Sequence, residues 1–180
     1  MLKTTARLLL RPPSLADLDV FHAIHADPAT NQFNPAGPMT DRQHAERVLG
    51  LWLGHWQHYG YGQWAIATLR APDQIIGFGG IAPRLYGDVE RLNLGYRFAE
   101  QAWGKGYASE LATAALAFAF DDLRKPEVFA IVRPAHAASI RVLEKVGMQR
   151  VRELDDVPGQ AMSLVYLASQ NRIDKASTFQ

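Results

Sequence analysis

Gln101-Ala-Trp-Gly-Lys-Gly-Tyr-Ala108 stands between a strand-like run, residues 89–98, and an alanine-rich stretch in which Ala108, Leu111, Ala112, Ala115, Leu116 and Ala119 recur at helical spacing. Strand, glycine turn and helix in that order decide how the rest of the chain is read. Glycines at 104 and 106 let the backbone curl until successive N–H groups face one concavity. The helix beyond adds its own free donors and the positive end of its dipole. Such a nest suits a pyrophosphate, so the octet is read as a main-chain grip on a phosphate-bearing ligand. The alanines on the buried stripe imply a helix lying very close to its sheet.

Working outward, residues 7–11 form a short strand candidate ended by Pro12-Pro13. Ser14 can cap a helix with Leu15, Leu18, Phe21, Ile24 and His25 on its apolar stripe. After a loop over 31–38, a second helix is expected over 40–59, with Val48, Leu51, Trp52 and Trp56 facing inward. Residues 63–70 and 74–84 read as a hairpin around an Ala71-Pro72-Asp73 turn, followed by the strand at 89–98. Beyond the alanine-rich helix come a β-branched strand at 128–132, a helix over 136–146 ended by Gly147-Met148 in Schellman fashion, and strands near 148–154 and 161–168. The order β-α-α-β-β-β-α-β-α-β-β describes an α/β (α+β) chain with one mixed sheet and helices on both faces. The expected organisation is a single domain over 1–180, its core about 5–168, with a polar, fraying tail over 169–180.

Composition narrows the function classes. The 180 residues hold 19 basic and 18 acidic side chains, so no broad electrostatic reason exists to expect nucleic acid or a membrane surface as partner. The absence of cysteine excludes disulfides, thiolate zinc sites and a cysteine nucleophile. The apolar part of residues 1–11 is too short for a signal peptide, and residues 112–120 are too short for a membrane span. A cytoplasmic protein is expected. His22/His25 and His55/His58 have the one-face spacing metals use, but no third ligand accompanies them, so no metal is expected.

Three signatures in order resemble those of the GNAT acetyltransferases, and specifically their RimJ/RimL-type branch. Gln101, Gly104 and Gly106 match the family's pyrophosphate motif. Residues 134–148, Pro-Ala-His-Ala-Ala-Ser-Ile-Arg-Val-Leu-Glu-Lys-Val-Gly-Met, match a second signature. Residues 8–17, Leu-Leu-Leu-Arg-Pro-Pro-Ser-Leu-Ala-Asp, match the entry of the first strand and helix. The resemblance spans about residues 5–168. It implies a mostly antiparallel sheet of about seven strands with a V-shaped splay between strands 89–98 and 128–132, and acetyl-CoA as cosubstrate lying in that gap. Leu94, Tyr96 and Phe98 would offer backbone to the pantetheine. Gln101, Gly104, Lys105, Gly106, Tyr107 and Ala108 would hold the pyrophosphate, Lys105 being equally readable as a solvated loop lysine.

The reaction the resemblance implies is direct attack of a neutral amine on a thioester. The tetrahedral oxyanion needs an N–H, for which the 94–96 backbone, including Tyr96, is the candidate. Ser139 matches the branch's serine and is the candidate donor to the departing thiolate; its alternative is a hydrogen bond within the first helical turn. His136 stands where most relatives have asparagine; either it still touches the cofactor through a ring nitrogen, or that contact is lost. Asn93 stands where many relatives carry a glutamate base, and Glu90 reads as a solvated charge. Phe33, Trp64, Tyr86 and Tyr96 are acceptor-pocket candidates or core. Glu153, Asp155 and Asp156 could attract a cation or be a solvated turn.

The expected partners are acetyl-CoA and an amine, either a small molecule or a protein N-terminus. The acceptor would be selected by loops around 31–39, 84–88 and 155–160. Oligomeric state is open, a homodimer being the common outcome for soluble homo-oligomers. The Asn93 and His136 departures favour one alternative, a non-catalytic acyl-CoA-binding module. A Rossmann-type nucleotide site lacks both its third glycine, where Ser109 stands, and its early βαβ unit.

Overall fold

A computed structural model describes residues 2–170. The strands are β1 (Lys3–Thr4), β2 (Leu8–Arg11), β3 (Gln63–Thr68), β4 (Ala71–Tyr86), β5 (Val89–Phe98), β6 (Glu127–Val132), β7 (Gln149–Leu154) and β8 (Ser163–Ser169). The helices are α1 (Leu18–Ala26), α2 (Arg42–Tyr59), α3 (Tyr107–Ala117) and α4 (Ala137–Lys145). Eight strands form one sheet in the order β1-β2-β3-β4-β5-β6-β8-β7. The sheet is mostly antiparallel. β5 meets β6 in parallel at a single register position, Asn93 opposite Phe129.

The eighth strand is the short β1, which pairs Lys3 with Leu10 and Thr4 with Leu9 and carried too little pattern to be read. The first hairpin turn also differs from expectation. It is Leu69-Arg70, and Ala71-Pro72-Asp73 belong to β4. Ala67 pairs with Ile75 while Thr68 pairs with Ala71, so residues 72–74 bulge out of the ladder. Proline has no N–H to give a ladder, and a bulge is where a strand tolerates it. The tail read from residue 169 lies, past Gln170, outside the described residues. Among those residues no helix is long and apolar enough to cross a membrane.

The chain divides into two compact units, one made of the chain up to Gly80 with Gly95–Leu111, the other of Ile81–Leu94 with the chain from Ala112 on. In the first, Leu18, Phe21 and Ile24 of α1 and Ala45 and Leu49 of α2 pack with Ala65, Phe78 and Ala99. Leu15 and Leu51, expected inside, are 63% and 73% exposed. Leu15 falls in a short 3-10 turn ahead of α1, which rotates it off the stripe. Asp17 closes that turn by accepting the Ser14 N–H at 2.7 Å and two Arg11 hydrogen bonds at 2.8 and 2.5 Å. Burial works to raise the Asp17 carboxyl, but the bonds from Arg11 and Ser14 outweigh it and its pKa lies below the usual carboxylate value.

Close approach of β4 to β5 depends on missing side chains. A Cβ at Gly79 would stand 2.6 Å from the Tyr96 Cβ and 2.7 Å from Leu111 of α3. In the second unit, Tyr86, Phe129 and Val165 form a smaller core with Ile131, Leu154 and Leu167 around it. Gly147 and Met148 close α4 as the Schellman pattern requires, Met148 N–H to Leu143 O and Gly147 N–H to Glu144 O, both at 3.0 Å.

His25, one of the paired histidines, is consumed by the first core. It stacks on Phe21 with ring centroids 4.1 Å apart, and its Nδ1 lies 2.9 Å from the Phe21 carbonyl. Burial, helped by nearby Arg97 and opposed by the Phe21 hydrogen bond, pushes its pKa down to about 4. The unfolded chain therefore takes up a proton at His25 over a range where the folded chain does not. Stability should be complete above about pH 6.5 and fall by up to about 3 kcal/mol as pH drops toward 4. Urea unfolding across that range should show a shallower pH slope in His25→Phe than in wild type. Equal slopes would exclude His25 as the titrating group.

Candidate active site

The glycine octet has the conformation its composition called for. Gly104 and Gly106 adopt φ of +72° and +77°, a region in which only glycine rests without strain. Among the described residues, chain neighbours apart, no atom lies within 4 Å of a Cβ built on Gly104, and Gly106 would meet only the Arg7 guanidinium at 3.5 Å. Backbone shape, rather than lack of room, thus requires glycine here. Among the described residues, no backbone acceptor is found for the N–H groups of Gly106, Tyr107 and Ala108. Gln101 and Lys105 are exposed on the loop, while Tyr107 and Ala108 are half-buried at the start of α3. The result is a run of open donors at a helix N-terminus, the arrangement that binds phosphate.

What fixes this loop escaped the sequence reading. Arg7, just before β2, donates Nη1–H to the Lys105 carbonyl at 2.9 Å and Nε–H to Glu110 at 2.6 Å. Its guanidinium also lies 4.9 Å from the Tyr107 ring centre. The Arg7 backbone N–H gives a second bond to Glu110 at 2.7 Å, and the Thr5 hydroxyl a third at 2.5 Å. Glu110, in the first turn of α3, answers with its own N–H to the Gly106 carbonyl at 3.2 Å. Partial burial works to raise the Glu110 pKa, but the bonds from Thr5 and Arg7 prevail and lower it, so it stays ionised. Arg7 and Glu110 are 103 residues apart, and no local pattern marks them as a pair.

β5 leads into the loop. The side chains of Leu94 and Phe98 are buried and Tyr96 is half-buried. The Phe98 carbonyl already accepts the Trp103 indole N–H at 2.9 Å. In the second unit, buried Asn93 accepts the Tyr86 hydroxyl proton at 2.7 Å, and Tyr86 packs edge-on against Phe129 with ring centroids 5.6 Å apart. Burial pushes the Tyr86 pKa well above its ordinary value, so the phenol stays protonated and serves as donor. The position where a carboxylate base was sought therefore holds an amide locked by a phenol. Glu90 is exposed. Tyr86 and Trp64, weighed as pocket aromatics, are core.

Also in the second unit, His136 is the N-cap residue of α4 and makes no side-chain cap bond, while Ser139 is the third residue of that helix. Both are half-buried, and burial lowers the His136 pKa. Of the acidic hairpin, Asp156 accepts from Arg133 at 3.1 Å and lies 3.8 Å from Arg84, and Glu153 pairs with Arg150 at 2.5 Å. These two carboxylates are already neutralised and offer little attraction to a cation.

Comparison with known proteins identifies the family. Residues 7–149 match the acetyltransferase (GNAT) domain. YkkB of Bacillus subtilis, an uncharacterized protein, is 38% identical over 90 residues, covering 50% of this chain and 52% of YkkB; the match thus spans about half the length of that relative. The uncharacterized N-acetyltransferase p20 of Bacillus licheniformis is 26% identical over 92% of this chain and 93% of its own. The crystal structure of an acetyltransferase from Agrobacterium tumefaciens superposes with a TM-score of 0.78 at 28% identity, covering 94% and 95% of the two chains. The chain belongs to the GNAT acetyltransferase family and is an acetyl-CoA-dependent N-acetyltransferase.

Arg7 should act on the loop more than on the fold, because its side chain is 50% exposed and such ion pairs contribute roughly 1 kcal/mol or less. Arg7→Gln should speed amide hydrogen exchange over residues 104–110 while leaving β3 and β4 protected. Unchanged exchange in that segment would remove the clamp from consideration.

Proposed function

We propose that this protein transfers the acetyl group of acetyl-CoA to a primary amine, a small molecule's or a protein N-terminus, in the manner of the RimJ/RimL-type branch and as a single domain. The observation that carries the reading is the loop at 104–108, shaped by two left-handed glycines and the Arg7–Glu110 clamp and opening α3, where the N–H groups of residues 106–108 meet no backbone acceptor among the described residues. These groups, with Gln101 and Lys105, would take the pyrophosphate. The backbone of Leu94, Tyr96 and Phe98 would take the pantetheine, with His136 beside it. The match of residues 101–106 and 134–148 to the branch signatures supports the same assignment.

In the proposed step the neutral amine nitrogen bonds to the thioester carbonyl carbon, and the oxyanion is met by an N–H of the 94–96 backbone. The C–S bond then breaks, and the Ser139 hydroxyl donates to the departing thiolate. The nitrogen sheds its proton to solvent. Asn93, already accepting from Tyr86, supplies no base. An α-amine, with a reference pKa near 8, is then an easier acceptor than a lysine-type amine near 10.4.

Thiol release from acetyl-CoA over a panel of amines and N-terminal peptides tests the reading; release above background on at least one is expected. For a productive α-amine, kcat/KM should climb about tenfold per pH unit and level off near pH 8. A profile that instead levels near an imidazole pKa, and loses that inflection in His136→Asn, would make His136 the base. Ser139→Ala should lower kcat by roughly 10- to 100-fold with the KM for acetyl-CoA nearly unchanged. Gly106→Val, forced out of its φ of +77°, should lose most acetyl-CoA affinity by calorimetry while remaining folded.

A further inference from the structure

We infer that the acceptor amine carries a carboxylate and that Arg97 receives it, an assignment that rests on the acetyl-transfer reading above. Arg97 lies on β5 between Tyr96 and Phe98. A Cβ on Gly79 would strike Tyr96 and Leu111, and one on Gly77 would strike the Phe98 ring, so Tyr96 and Phe98 share the face toward α3. Alternation turns Arg97 to the other face of the strand. There its Nη1–H donates to the Asn31 amide oxygen.

Asn31 is built to hold that oxygen in place. It is buried, and its own amide N–H groups go to the carbonyls of His25 and Asp27, both at 2.8 Å. Its oxygen also accepts Asn34 Nδ2–H at 2.8 Å. The guanidinium is therefore aimed, but by amides alone. Among the described residues Arg97 makes no ion pair. Arg7, Arg11, Arg42, Arg84, Arg133 and Arg150 each lie against a carboxylate. Half-buried Arg97 does not.

Burial lowers the Arg97 pKa, with no neighbouring acid acting against it. His25, its buried neighbour, is uncharged near neutrality and cannot balance it. A guanidinium carries five N–H donors in a planar fork, and Asn31 engages one nitrogen, which leaves the fork's remaining donors for a carboxylate. The loop around 31–39 is also a segment expected to select the acceptor. A polyamine would bring positive charge to a cation that already lacks its counter-ion, and is disfavoured.

The test measures thiol release from acetyl-CoA with amino acids of increasing chain length, their carboxamides and matched diamines, using wild type, Arg97→Gln and Arg97→Lys. At one chain length or more, wild type should prefer acid over amide by about 10- to 100-fold in kcat/KM. Arg97→Gln should bring that ratio to about one while amide turnover changes little, and Arg97→Lys should keep part of it. Circular dichroism confirms that each variant is folded. Equal losses on acids and amides in Arg97→Gln would reduce Arg97 to a loop tether and overturn the assignment. So would a wild-type enzyme that uses amides or diamines as well as acids, and in that case acetyl transfer itself would stand. No release from any amine here or in the wider panel would overturn both.

Discussion

The Arg7–Glu110 bond is the contact on which the candidate site depends. A loop with two left-handed residues, whose N–H groups at 106–108 meet no backbone acceptor among the described residues, is not one that backbone energetics would select by themselves. Something must hold it open when no ligand satisfies it. The 2.6 Å bond from Arg7 Nε to Glu110 and the 2.9 Å bond from Nη1 to the Lys105 carbonyl do so from outside the octet. Thr5 and the Arg7 backbone add two further bonds to the same carboxylate, so Glu110 is surrounded by donors and its rotamer is fixed. The pair contributes little to global stability because Arg7 is half exposed. Its value is preorganisation: the cost of shaping the loop is met on folding and not on binding.

Preorganisation on the donor side contrasts with restraint at Asn93. Tyr86 stays protonated by burial and donates a hydrogen bond to the Asn93 oxygen, so this position offers no base. On the proposed reading, rate enhancement comes from placement of the two reactants and from N–H groups near the developing oxyanion. Placement alone accounts for large accelerations when the nucleophile arrives neutral. Such a site shifts the burden of deprotonation to the acceptor and so restricts which amines suit it.

Sequence pattern revealed the elements whose signals are local. Leu111, Ala112, Ala115, Leu116 and Ala119 are all buried, as their spacing demanded, and Gly104 and Gly106 took the positive φ that their composition invited. The Schellman closure at Gly147 was legible for the same reason. Errors fell where tertiary structure overrode a local cue. Pro72 announced a turn, yet a bulge absorbed it into β4. Leu15 and Leu51 fitted a helical stripe and ended in solvent. Long-range pairs were invisible: Thr5 and Arg7 gain their meaning only beside Glu110, and Arg97 only beside Asn31.

The two ends of the proposed reaction differ in how they are encoded, and this explains their unequal legibility. A pyrophosphate is bound by main chain, and main-chain binding leaves a glycine signature that survives in one sequence. An acceptor is bound by side chains drawn from separate loops, with no spacing rule to announce them. Arg97 illustrates the second case: as a letter in Leu-Gly-Tyr-Arg-Phe it is an ordinary strand residue. Its lack of a counter-ion becomes visible only once Asn31, Asn34 and His25 are known to surround it with amides and a neutral ring. A charge that folding brings into half-burial without a counter-ion among the described residues is a more specific pointer to a ligand than any pocket shape, because the ligand must bring the opposite charge.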